Sequence, residues 1–166
     1  CKLYRLPIDK FHEWKEIVIK LNISNDVNSI SFETDVTEIV SEERNFLEAG
    51  INELINENFD SAILRFDSLI SAYPNSLFKA PALYFKGEAL AGINQWQSAG
   101  KSYLESFKLK PNGEYAAKAL MNVGINLARM DKINEACSIL SKVIERFPGD
   151  QIKDDVTLEM KLYNCK

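Results

Sequence analysis

One interval governs what this chain can fold into. Gly50, Gly87 and Gly124 stand 37 residues apart, and so do Phe59, Trp96 and Ile133; Ala62, Ala99 and Ala136; Phe66, Tyr103 and Leu140; and Pro74, Pro111 and Pro148. Five columns in one register over three copies mark a tandem array of a single supersecondary unit, which buries its apolar face only by stacking on its neighbours. The order within each copy fits a helical hairpin. Helix axes about 8–10 Å apart need small side chains where they cross, so the glycine of the first helix and the alanine of the second admit close approach. The apolar residue three before each alanine and the large one four after it fall near one face of the second helix, as knobs that fill the core. Proline closes the unit, because it cannot continue a helix and biases its predecessor away from helical geometry. Asn75-Ser76, Asn112-Gly113 and Gly149-Asp150 then supply turn and helix-start chemistry.

This register predicts helices over Glu43–Asn56, Asp60–Tyr73, Leu77–Gly92, Gln97–Leu109, Glu114–Met130 and Ile133–Arg146. The copies span residues 43–76, 80–113 and 117–150, and a last helix follows at 151–163. In that helix Lys161 takes the glycine position, so it reads as a C-terminal cap shielding the last hairpin. The pattern resembles the tetratricopeptide repeat, whose usual period is about 34 residues; the longer period implies slightly lengthened helices. The implied fold is all-α, a right-handed α-α superhelix of three hairpins with an N-terminal helical segment and a capping helix.

The columns do not extend backwards. One period before Gly50 lies Glu13, and one before Pro74 lies Thr37, so residues 1–40 form a non-repeating segment ahead of a repeat domain at 41–166. Phe11, Trp14, Ile17, Val18 and Leu21 have helical spacing within Ile8–Leu21, with Pro7 as a suitable first-turn residue. Asn22–Ser31 reads as a loop, and Asp35–Ser41 joins the first repeat helix. No heptads are sustained, so the segment is not a coiled coil.

Composition excludes several classes of function. A net charge of −4 lacks the basic footprint of a nucleic-acid binder, and no run approaches the ~20 apolar residues of a membrane span. His12 is the single histidine, which leaves triads and histidine–metal clusters without a member. Cys1, Cys137 and Cys165 have no C-x-x-C spacing, so no metal site is expected. Pairs such as Glu42-Glu43 and Asp154-Asp155 read as solvated helix charges. No Gly-rich phosphate loop occurs, and neither a cofactor nor catalysis is expected. Cys137 lies beside the alanine column as a small buried hydrophobe. Should the last helix pack on that one, Cys165 approaches it, and both free thiols and a disulfide stay open. A start at Cys1 leaves open a lipid-anchored terminus.

A scaffold of stacked hairpins presents its first helices on a concave surface. The first-helix positions facing away from the partner helix are Arg44, Leu47 and Ile51; Tyr84 and Glu88; and Lys118, Met121, Ile125 and Arg129. This projection gives an apolar floor with charged edges, suited to an extended or helical peptide anchored by Tyr84, Met121 and Ile51, its acidic group oriented by Lys118 and Arg129. Leu47 and Ile51 equally suit gaps between repeats.

The stretches Ala82–Ala91, Ala117–Ala128 and Asp131–Gly149, with Asn134-Glu-Ala-Cys137 and Ile144-Glu-Arg-Phe-Pro-Gly149, resemble the C-terminal domain of the Tol-Pal-associated cell division coordinator family. The likeness runs from Glu43 to the end of the sequence; Lys86 departs from it, replacing the apolar residue before Gly87. The resemblance implies a bacterial periplasmic adaptor without catalytic activity. Its implied partners are a TolA-like protein of the constriction machinery and a bifunctional peptidoglycan synthase. Readings left beside it are an outer-membrane assembly lipoprotein and a regulatory repeat domain of a larger protein.

Overall fold

The computed structural model describes residues 30–149 and 151–166. Seven helices make up the regular structure of these residues: α1 (Ile30–Ile55), α2 (Phe59–Ala72), α3 (Lys79–Gly92), α4 (Trp96–Leu109), α5 (Ala116–Arg129), α6 (Ile133–Arg146) and α7 (Ile152–Leu162). The fold is an all-α helical repeat, and Ser41–Lys166 forms one compact unit. The expected helix Ile8–Leu21, its Phe11, Trp14 and Val18 stripe, His12 and Cys1 lie outside the described residues. Helix α1 begins at Ile30, inside the expected loop Asn22–Ser31 and well ahead of Glu43, and it takes in Asp35–Ser41.

Helices α2 to α6 are each 14 residues long. Three residues join the two helices of a hairpin, and six join one hairpin to the next. The expected first helices Leu77–Gly92 and Glu114–Met130 are therefore shortened: Met130 falls in a three-residue turn, and Leu77, Phe78, Glu114 and Tyr115 fall in the six-residue links. There the Phe78 N–H donates to Ser76 Oγ at 3.0 Å, and the Gly113 N–H donates to the Lys110 carbonyl at 3.0 Å. These turns use the polar residues after each proline, and Leu77 is left 49% exposed outside its helix.

The glycine and alanine columns sit at the crossings. Ala62, Ala99 and Ala136 are fully buried. A Cβ added at Gly50 would stand 2.5 Å from the Phe66 ring, at Gly87 2.6 Å from Tyr103, and at Gly124 3.0 Å from Leu140. Each large residue of the second helix thus occupies the space its glycine vacates. The column Phe59, Trp96 and Ile133 is only half-buried, which corrects its expected place at the centre of the core. It opens the second helices at the hairpin end, where Phe59 rests on Gly92.

A further column lies in the short turns. Glu57, Asn94 and Asp131 adopt left-handed backbone (φ 59°, 60° and 62°) at the same interval, and Asn164 repeats the conformation after α7 (φ 55°). Each turn closes by a bond from the following N–H to a carbonyl five residues back: Asn58 to Glu53, Gln95 to Leu90, Lys132 to Leu127 and Cys165 to Met160, all at 2.9 Å. Lys86, the departure noted above, pairs with Asp67 of α2 at 2.6 Å.

The cysteine alternative resolves to a bond. Cys137 of α6 and Cys165 form a disulfide, with Cα atoms 5.4 Å apart. Helix α7 also seats Ile152 and Val156 among Ala117, Leu120, Leu140 and Val143, closing the apolar face of the third hairpin.

Candidate interaction surface

The nine projected residues lie on α1, α3 and α5, and the structure separates them by exposure. Leu47 and Tyr84 are buried, at 3% and 8% exposure. Arg44, Ile51, Glu88, Met121 and Ile125 are half-buried, whereas Lys118 and Arg129 are exposed.

Tyr84 is core and not an open anchor. Its ring stacks on Tyr115 at 4.8 Å, meets Phe85 edge-on at 5.2 Å and lies 5.7 Å from Tyr103. Tyr115 directly precedes α5, so the next hairpin covers the face that the projection left open. The signal was available in the sequence: Phe78, Tyr115 and Ile152 share the 37-residue interval, and an apolar residue just before each first helix is placed to overlie the preceding hairpin. Leu47, at the position of Tyr84 one copy earlier, is likewise core.

Glu88 joins three helices. The Tyr103 hydroxyl of α4 and the Asn122 amide of α5 both donate to its Oε1, at 2.6 and 2.7 Å. Asn122 was not among the projected residues, yet it fixes this carboxylate. Burial first, and then the charge of Glu88, push the Tyr103 and Tyr84 phenols above their ordinary value of 10.0. Both remain neutral hydroxyls at neutral pH, so Glu88 is spent chiefly on tying the second hairpin to the third. Arg129 is engaged as well: its guanidinium lies over the Trp96 ring at 5.6 Å.

What stays accessible is Lys118 with the partly exposed Ile51, Met121 and Ile125. Carrying the projection one period further adds residues that the three-copy reading missed. Leu158 and Leu162 of α7 stand 37 residues beyond Met121 and Ile125 and are 60% and 64% exposed. Helices α5 and α7 are in contact, so two neighbouring helices each present an apolar pair four residues apart. Lys118 and Asp155, both exposed, stand one turn before these pairs. The strip can take up an apolar side of a peptide or helix. A shallow depression lined by Leu127, Asn134, Glu135, Ser138 and Ile139 includes none of the projected residues. Among the described residues no group of three His, Cys, Asp or Glu side chains is placed to hold a metal ion, and no helix is long and apolar enough to cross a membrane.

A family model for the tetratricopeptide repeat matches residues 118–150, which cover α5, α6 and the link that follows. The chain carries a tetratricopeptide repeat. The two preceding hairpins share its glycine and alanine crossings and its turn, and α2 to α4 share its helix length, so the same tetratricopeptide-like geometry runs from the Gly50 crossing to α6. No curated protein matches the sequence. Tetratricopeptide hairpins serve as protein-interaction scaffolds, and the strip on α5 and α7 offers apolar surface beside charge, with further exposed apolar residues at Ile55, Leu64, Leu77 and Leu109.

Proposed function

We propose that this chain is a non-catalytic periplasmic adaptor that couples the Tol-Pal constriction machinery, through a TolA-like protein, to a bifunctional peptidoglycan synthase during cell division. The observation that carries this reading is the Cys137–Cys165 disulfide. Stable disulfides belong to oxidising compartments such as the bacterial periplasm, and Cys137 lies within the Glu-Ala-Cys segment on which the family resemblance rests. The strip of Met121, Ile125, Leu158 and Leu162, with Lys118 at its edge, is where a partner segment docks.

Titration calorimetry tests the reading directly. The oxidised chain is titrated with the purified periplasmic domain of the TolA-like protein and, separately, with the purified synthase from the same organism. Saturable binding to both is expected, weakened by Leu158→Ser combined with Leu162→Ser. Binding to neither would overturn the assignment.

A further inference from the structure

The last helix is held by less packing than the first helices α3 and α5. Helix α7 is 11 residues long and buries two residues, Ile152 and Val156, with Met160 and Tyr163 partly buried beside them, whereas α3 and α5 bury seven residues each. Leu158 and Leu162, on either side of Met160 in sequence, point to solvent. The bond from the Cys165 N–H to the Met160 carbonyl repeats the turn of the inner hairpins. It sets Cys165 at the position of Asn58, Gln95 and Lys132, the residue that precedes each second helix. In those hairpins a 14-residue helix packs back from this point; here a covalent bond to Cys137 of α6 ties the end down. Both cysteines are partly exposed.

We infer that the Cys137–Cys165 bond is a thiol-operated latch on α7: a dithiol reductant opens it, and α7 then leaves its seat while α1 to α6 stay folded. The thiolate of the dithiol attacks one sulfur of the bridge, forming a mixed disulfide and expelling the other cysteine as thiolate. The second thiolate of the reductant displaces the remaining cysteine. Two electrons pass from the dithiol to the bridge, two protons end on Cys137 and Cys165, and the reductant departs as its own disulfide. Once the clamp is open, α7 is held by the packing of Ile152 and Val156, by the partly buried Met160 and Tyr163, and by the short link after α6. Because Ile152 and Val156 occupy one side of the third hairpin's core, their departure uncovers Ala117, Leu120, Leu140 and Val143. The exposed seat is already shaped for a helix with two apolar residues four apart.

Hydrogen–deuterium exchange read by mass spectrometry tests the latch on the full chain. Three samples are compared: oxidised, reduced with dithiothreitol, and the double variant Cys137→Ser, Cys165→Ser. Amides of residues 152–162 are expected to exchange on the order of a hundredfold faster in both bridge-free samples, with rates in α2 to α4 unchanged. Unchanged protection of α7 would overturn the inference, because packing alone would then hold the helix. Loss of protection spread evenly over every hairpin would also overturn it, because the bond would then staple the whole array. The double variant separates opening of the bridge from any other effect of the reductant.

Discussion

Around Ala99, the space between α3, α4 and α5 is filled by the rings of Tyr84, Tyr103 and Tyr115, laced by hydrogen bonds to Glu88. Around Ala136, the corresponding space between α5, α6 and α7 is filled by Leu140, Val143, Ile152 and Val156, with a disulfide at its margin. The backbone crossing is the same in both, since Gly87 and Gly124 occupy one column, but the filling differs in stiffness. An aromatic ring with a bonded hydroxyl has one orientation, whereas a leucine can shift by a few tenths of an ångström. The repeat therefore fixes where side chains meet and leaves open what holds them together: interlocked rings in the interior, a covalent bond at the end.

The largest expected effect comes from emptying the two crossings. Tyr103→Ala should cost about 4 kcal/mol in urea unfolding and Leu140→Ala about 3; equal losses would break the distinction between the two fillings. Adding one methyl at the crossings is smaller and sharper. Gly87→Ala should cost about 2–3 kcal/mol, since the new Cβ meets a ring 2.6 Å away, and Gly124→Ala about 1, since Leu140 at 3.0 Å can yield. Smaller still, Tyr103→Phe should cost about 1–2 kcal/mol by removing one donor from the Glu88 carboxylate. The interior should lose cooperativity with α5 in that variant, which hydrogen exchange would register.

Alkaline pH separates the regions without mutation. At the end of α7, burial first and then the hydrogen bond to Glu159 push the Tyr163 phenol from 10.0 up to about 12. A phenol raised on folding stabilises the fold fully below pH 10, and that contribution is lost as pH climbs to about 12. Spectrophotometric titration should show Tyr163 ionising in the folded chain, with Tyr84 and Tyr103 ionising only on unfolding. The smallest effect on stability is expected at the exposed strip, where Leu158→Ser and Leu162→Ser should each change unfolding free energy by less than about 0.5 kcal/mol.

Much of this was legible from one interval. Columns of glycine, alanine and proline placed α2 to α6 to within two residues at each end, because each column answers a steric demand internal to one hairpin. Contacts between hairpins were harder to see. Tyr84 looked like a groove residue because its cover, Tyr115, belongs to the next copy, and reading Phe78, Tyr115 and Ile152 as a column would have shown it. The start of α1 was set too late because glycine and proline columns mark crossings and ends and say nothing of how far a first helix reaches back. The disulfide depended on where α7 lies against α6, which spacing in sequence does not define. Leu158 and Leu162 were passed over because the projection stopped with the third copy.

The left-handed residues Glu57, Asn94 and Asp131 bear on how the chain folds as well as where it turns. Each reverses the chain within five residues, so a hairpin can close before any distant segment arrives. The search for native contacts is then mostly short-range, which favours fast folding. Lengthening such an array adds nearest-neighbour interfaces without adding long loops to close. Duplicating the unit of residues 79–115 should raise stability while leaving the folding rate nearly unchanged, so that the number of hairpins is felt in how slowly the chain unfolds.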